Sequence, residues 1–378
     1  MWTDFTKGRP LNDRHERDGH SPLTVFLIFL RLGLTSFGGP VAHLGYFRDE
    51  FVVHRRWLGE RAYADLVALC QFLPGPASSQ VGIALGLGRA GYAGAAAAWA
   101  GFTLPSAVAM ILFAVGLARF GDQFPPGALH GLKIVACVVA LLVPGAPGQI
   151  GVIVAAGLAG LLLFTTAETP RHEPAPIPVG RRAALASLTL FALLLTGAPL
   201  AARLADSPTL SLVDSFYRTG SLVFGGGHVA LPLLQAEVVA PGRIDEATFV
   251  AGYGAAQAVP GPLFSFAAFL GAVMTGSVTG GMVALAAIFA PSFLLVIGAL
   301  PFWETLRHDA RMQAALCGVN AAVVGLLLAA LYTPVWSGAI GTPADFGLAL
   351  CAFAALLFWK LPPWLVVGIT GAVGAALG

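Results

Sequence analysis

The 378-residue chain reads as an all-α polytopic membrane protein, built from two inverted-topology repeats with broken helices and Pro-Gly-Pro re-entrant hairpins. Three observations lead there. The chain is 57% hydrophobic and only 11% charged, against about 25% charged in a soluble domain. Two regions, 61–90 and 247–275, are each cut at their centre by Pro-Gly-Pro. A motif series in the first half also returns, in the same order, in the second.

Residues 1–21 are polar and lack a short apolar core followed by a small-residue cleavage site, so no cleaved signal peptide is expected. Apolar stretches able to cross about 30 Å of hydrocarbon run at 22–47, 92–118, 128–146, 149–166, 183–204, 211–236, 278–300 and 312–334, with shorter ones at 345–359 and 362–378. The pieces flanking each Pro-Gly-Pro are about 12–14 residues long, the length of a half-helix rather than a span. Segment 167–182, rich in proline and charge, reads as a linker. The expected organisation is therefore a first membrane repeat at 22–166 and a second at 183–378.

The repetition is explicit. Phe29 to Gly39 aligns with Phe216 to Gly226 at an offset of 187, and the same offset pairs Glu50 with Glu237. After a one-residue slip, Gln71-Phe-Leu-Pro-Gly-Pro76 meets Gln257-Ala-Val-Pro-Gly-Pro262, Pro105-Ser106 meets Pro291-Ser292, and Glu60 meets Glu246. Five spans separate the two starts, or seven if each Pro-Gly-Pro region crosses twice. Both numbers are odd, so the second copy enters the bilayer from the opposite side. Inverted repeats with a site at their interface are a recurring transporter plan. Lys and Arg divide evenly between the two sides, so charge bias gives no absolute orientation.

Three cations fall inside apolar segments: Arg31, Lys133 and Arg218. Each costs at least about 2.5–3.5 kcal/mol at mid-bilayer. Arg31 and Arg218 are repeat mates, six residues before each Phe-Gly-Gly. Two readings compete. The arginines reach the interface or pair with a carboxylate such as Asp214 or Asp65, or their guanidinium forks face an anion across the repeat axis. Lys133 either reaches the interface or joins proton coupling.

The breaks, Phe37-Gly38-Gly39-Pro40 and Phe224-Gly225-Gly226-Gly227, unwind the helix so that backbone N–H groups and the next helix start face a cavity. The competing reading is a close glycine packing face, which suits Gly82/Gly86 better. The tips add Gln71, Pro74, Gly75, Pro76, Ser78, Ser79 and Gln80 in the first copy, and Gln257, Pro260, Gly261, Pro262 and Ser265 in the second. Their neutral polar groups can coordinate an oxyanion or simply bond their own backbone. His43, His228 and Asp65 are the candidate proton carriers beside Lys133.

Enzyme signatures such as HExxH, GxSxG and the phosphate-binding GxxxxGK[ST] do not occur, nor does metal-ligand spacing among the eight histidines. The four cysteines form no CxxC pair, and no cofactor, metal or nucleic acid is expected.

Taken together, FGGPVAHLGYF, QFLPGPASSQVGIALG and FTLPS in the first half, with FGGGHVALPLL and QAVPGP in the second, resemble the chromate ion transporter family in its long, two-domain form. The resemblance covers nearly the whole chain. It implies a multi-pass protein of the cytoplasmic membrane that exports chromate, driven by protons, and confers resistance. Expected partners are lipid, protons and a tetrahedral oxyanion, with sulfate as competitor and a homodimer as a candidate assembly. Residues and spacing alone reach a narrower conclusion, an inverted-repeat transporter for an anion. A sulfate-type importer or exchanger, and a non-transporting intramembrane enzyme or scaffold, are the alternatives. The site expected is a dianion held by half-helix starts near Pro40, Pro76, Gly227 and Pro262, with Arg31 and Arg218 as countercharge.

Overall fold

The computed structural model describes residues 21–37, 39–120, 179–223 and 230–306, with isolated helical positions between 158 and 162 and between 347 and 369. The expectations for 1–20, Lys133, the linker up to 178, Gly38, the break 224–229 with His228, and the spans at 128–146, 312–334 and beyond lie outside these residues. All regular structure among the described residues is helical.

Helix α1 (Pro22–Thr35) opens on a proline, whose missing N–H is no loss in a first turn. It stops at Ser36, and α2 (Gly39–Arg48) starts on Gly39 at φ 76°. The apolar run 22–47 is therefore two helices, not one. A π-helical turn, Asp49–His54, leads to α3 (Glu60–Phe72), and the Pro-Gly-Pro tip separates α3 from α4 (Ala77–Phe120). Inside α4 the backbone leaves helical geometry at Ala90 and Gly91. The chain doubles back there, because Gly86 packs against Gly94 and Ala98.

Helix α5 (Arg181–Ala205) leads into the second half, which repeats the order with α6 (Pro208–Leu222), α7 (Ala230–Val238), α8 (Glu246–Ala258), a 3-10 turn (Leu263–Ser265), α9 (Phe266–Thr275) and α10 (Val278–Leu306). Helix α5 begins at Arg181, inside the stretch expected to be linker. At the α9–α10 turn, Gly276 takes φ 64° and Gly271 packs against Gly280 and Ala284, as Gly86 does against Gly94 and Ala98.

Among the described residues, three helical stretches are long and apolar enough to cross a membrane: Ala77–Arg119, which turns at Ala90–Gly91, Arg181–Ala205 and Val278–Trp303. Helix α1 packs on α4, and α6 on α10. In both pairs the approach is set by a glycine. A Cβ on Gly33 would stand 2.7 Å from the Gly101 and Phe102 carbonyl oxygens, and one on Gly220 would run into the Ile288 carbonyl. Phe29, Phe47, Phe51 and Phe102 form an aromatic core around the first pair, with Phe29 and Phe51 stacked at 5.0 Å. The α10 side is sealed by Phe264, Phe266, Phe269 and Phe289. Helix α5 presents Leu185, Leu193, Leu200 and Leu204 outward, as a lipid-facing helix does.

These close approaches leave no space for a methyl group. Gly220→Ala is expected to destabilise the protein by about 1–3 kcal/mol through overpacking. Gly197→Ala, with open space at its Cβ, should be neutral or stabilising by up to about 1 kcal/mol. Thermal unfolding of the two variants in detergent checks the contrast.

Candidate functional site

Both broken helices end the same way. Ser36 closes α1 in extended backbone (φ −87°, ψ 103°), and Val223 closes α6 likewise (φ −80°, ψ 118°). An extended residue after a helix turns its carbonyl out of the ladder, where it needs a new donor. The donors come from the tips. Gly75 N–H donates to Val223 O at 2.7 Å, and Gly261 N–H donates to Ser36 O at 3.0 Å. The pairing is crossed, since each tip bonds the break of the other repeat. Ser36 and Val223 are repeat mates, as are Gly75 and Gly261.

The tip glycines cannot be replaced. Gly75 has φ 122° and Gly261 φ 105°, conformations that side-chain-bearing residues rarely adopt. A Cβ on Gly75 would lie 2.8 Å from Ser292 Oγ and 2.7 Å from Gln80 Nε2. A Cβ on Gly261 would lie 2.9 Å from Ser106 Oγ. The crossing is thus repeated in side chains, because Ser106 and Ser292 are also repeat mates. Gln80 Nε2 donates to Pro74 O at 2.7 Å and ties the first tip to the start of α4.

Among the described residues, buried polar atoms without a hydrogen-bond partner include Ser36 Oγ at the first break, Ser79 Oγ, Gln80 Oε1 and Gln257 Nε2 on the helices beside the tips, and Thr103 Oγ1 and Ser292 Oγ on α4 and α10, besides Trp99 Nε1, Arg218 Nε and Trp303 Nε1. Each such atom costs about 1–3 kcal/mol when left unmet. His43 is buried here too. Its Nδ1 lies 3.5 Å from Ser78 Oγ, its ring meets Phe102 edge-on at 5.1 Å, and its Nε2 has no partner. Ser78, Ser265 and Pro76 are buried, whereas Phe37, Gly39, Pro40, Pro74, Pro260 and Asp65 are half-buried and Gln71 is exposed.

The two arginines have different surroundings. Arg31 is exposed on α1 beside Leu27 and Leu34. Arg218 donates to Asp214 at 3.2 Å and to Glu237 at 2.9 Å, the carboxylate pairing that was one of its two readings. Asp214 has Leu27 as its mate, and Glu50, the mate of Glu237, is held by Arg55 at 2.7 Å. Arg218 also borders a cavity of about 730 Å³ with Arg203, Asp206 and Arg243. Arg243 donates to Ser211 at 2.8 Å and Ser215 at 3.3 Å. Beside it, Asp245 caps α8 through Thr248 N–H at 2.8 Å, and hydrogen bonds from Thr248 hold its carboxyl below the usual carboxylate range.

Ser106, Ser292 and Thr103 were not among the site residues singled out from sequence. The signal for the serines was present, since Pro105-Ser106 and Pro291-Ser292 align in the repeat. Nothing in a sequence shows which tip meets which serine.

Gly75→Ala and Gly261→Ala should each abolish the protein's activity, reducing it more than tenfold, through about 1–3 kcal/mol of backbone strain and overpacking at the tip. Gly88→Ala, on an exposed helical position with open space, should leave it intact. Equal losses at the two tips and none at Gly88 are the expected pattern in a flux measurement.

Comparison with known proteins is consistent with this two-part construction. The sequence profile of the chromate transporter family matches residues 23–202 and again 210–375. A chromate transport protein of Pseudomonas aeruginosa is 29% identical over 333 residues, 80% of this chain and 78% of its own. Another from Cupriavidus metallidurans is 27% identical over 377 residues, covering 93% of this chain and 92% of that protein. An uncharacterized transporter of Bacillus subtilis is 30% identical over 175 residues, which is 45% of this chain but 88% of its own length. No solved structure matches. With the family profile matched in both parts, across nearly its whole length, the chain belongs to the chromate transporter family.

Proposed function

We propose that this protein is a secondary active transporter that exports chromate across the cytoplasmic membrane in exchange for protons, and so confers chromate resistance. The observation that carries the proposal is the crossed contact: Gly75 on Val223 and Gly261 on Ser36, lined by buried polar atoms without partners. In this reading the two repeats lie inverted in the bilayer, and their Pro-Gly-Pro tips are re-entrant hairpins meeting near the midplane. The anion sits where the tips meet the breaks.

The chemistry follows from the parts. Half-helix starts after Pro40, Pro76 and Pro262 turn N–H groups and positive dipole ends toward the anion. Ser78, Ser79, Gln80, Gln257 and Ser265 supply neutral hydrogen bonds. Arg218, held by Asp214 and Glu237, is countercharge whose strength falls or rises with its carboxylate partners, and Arg31 is its counterpart on the other repeat. Breaking one crossed bond while keeping the other gives the alternating exposure that transport requires. A bound proton on Asp65, His43, His228 or Lys133 changes the charge the anion meets, which links proton movement to release.

The test is flux in proteoliposomes with labelled chromate, with and without an imposed pH gradient, and with sulfate as competitor. Chromate movement driven by the gradient is expected. Arg218→Lys should lower flux about tenfold or more, because a point charge lacks the guanidinium fork. The combined variant Asp65→Asn, His43→Gln, His228→Gln should retain anion counterflow and lose its response to the gradient. Full gradient-driven flux in that variant would remove these three groups from the coupling assignment.

A further inference from the structure

We infer that the cavity at the α5–α6 turn is a second binding site for a free tetrahedral oxyanion, held between Arg203 and Arg243 at one mouth of the protein. The purpose of the site rests on the proposed transport function, and the site lies apart from the crossed contact of tips and breaks.

The cavity encloses about 730 Å³, a size that receives small ligands. Its walls are the last turns of α5, the first turns of α6 and the end of α9 at Met274 and Thr275. Three arginines line it, Arg203, Arg218 and Arg243, against two aspartates, Asp206 and Asp214.

The three guanidiniums are not equivalent. Arg218 is already met, since Asp214 and Glu237 both accept its hydrogen bonds. Arg243 instead donates to the Ser211 and Ser215 hydroxyls, at 2.8 and 3.3 Å. Hydroxyls orient a guanidinium without cancelling its charge, and they leave it further N–H donors for a guest. Arg203, exposed in the last turn of α5, makes no ion pair among the described residues. Nor does Asp206, which ends α5 with φ 44°. Both mouth charges are therefore available. Elsewhere the chain meets such arginines with carboxylates, as Glu60 meets Arg48 and Glu50 meets Arg55.

The start of α6, at Ser207 and Pro208, borders the same space and adds the positive end of a helix dipole. Two guanidiniums on different walls, with a helix start between them, suit a guest that carries charged oxygens on several sides. A tetrahedral dianion does so; chloride does not. The first repeat has no counterpart, because Ser215 has the buried Ile28 as its mate and loses the orienting hydroxyl.

The cavity also leads toward the proposed transport site. It follows α6 from Ser207 to Arg218. Val223, whose carbonyl takes the Gly75 N–H, lies about 7.5 Å further along the same helix. An anion at the mouth is thus one step from Arg218, where it competes with Asp214 and Glu237 for the guanidinium. Exposed arginines hold such a guest loosely enough to let it go.

The experiment is equilibrium binding of labelled sulfate to the purified full chain in detergent at low ionic strength, in a Gly75→Ala background that disables the transport site. Saturable binding is expected to remain there. Arg203→Glu, which alters an exposed side chain with no bond to lose, should weaken it about tenfold or more, and so should Arg243→Gln. Arg119→Glu, the same charge change at an exposed position outside the cavity, should alter it less than about twofold. Sulfate should raise the Tm of the Arg119→Glu protein and not that of Arg203→Glu. With Gly75 intact, Arg203→Glu should remove one component of sulfate binding and leave another, so the reading does not depend on the background. Dihexanoyl-phosphatidylglycerol, a soluble lipid whose phosphate has the same chemistry, should compete no better than inorganic phosphate. Stronger competition assigns the cavity to a lipid headgroup and overturns the free anion. Binding unchanged by both Arg203→Glu and Arg243→Gln, or weakened equally by Arg119→Glu, overturns the site itself while leaving the transport reading intact. Normal chromate flux in Gly75→Ala has the opposite meaning: the transport site is misplaced, and the cavity stands or falls on its own arginines.

Discussion

The backbone cannot leave a carbonyl unmet in an apolar interior, and this constraint organises the described structure. Each broken helix ends on an extended residue, Ser36 or Val223, whose carbonyl has left its ladder. Both residues are fully buried, so water is not at hand to solvate it. The donor is a glycine N–H at the tip of the opposite repeat. Only glycine serves, because the tip needs a positive φ and a surface bare enough to lie against a serine. From that requirement follow the Pro-Gly-Pro sequences and the half-length helices beside them.

Much of this was legible in the sequence. The breaks at Phe37-Gly-Gly and the tips at Gly75 and Gly261 fall where helices end, because glycine and proline act locally. The kink at Ala90–Gly91 and the turn at Gly276 likewise sit at the edges read from apolar patterning. Helix α5, Arg181–Ala205, coincides with the apolar stretch read at 183–204 and begins on the two arginines that close the polar segment 167–182. Less legible was the crossing of tips and breaks. Repetition tells which residues are mates, yet it does not tell whether a mate is met within its own repeat or in the other. The same limit hid Ser106 and Ser292, whose importance comes from what lies opposite them.

The repeats have also diverged, and the divergence is chemical. Arg218 is gripped by Asp214 and Glu237, while Arg31 has Leu27 where the aspartate would be, and Glu50 is taken by Arg55. Ser106 is satisfied by Thr103 while Ser292 is not. The frame is thus pseudosymmetric in its backbone contacts and unlike in its charges and hydroxyl bonding.

The crossed glycine contacts also bear on how the protein is made. Ser36 closes α1, early in the chain, but its donor, Gly261, belongs to the last third. At about 5–20 residues per second of synthesis, the first repeat waits in the bilayer for roughly ten seconds or more with its break open. During that interval its carbonyl and the Gly75 N–H are partnerless, and another copy of the same nascent repeat offers the same complement. Rapid delivery of the second repeat therefore guards against mispairing between chains. A chain truncated after α5 should be cleared by quality control rather than accumulate as a stable half.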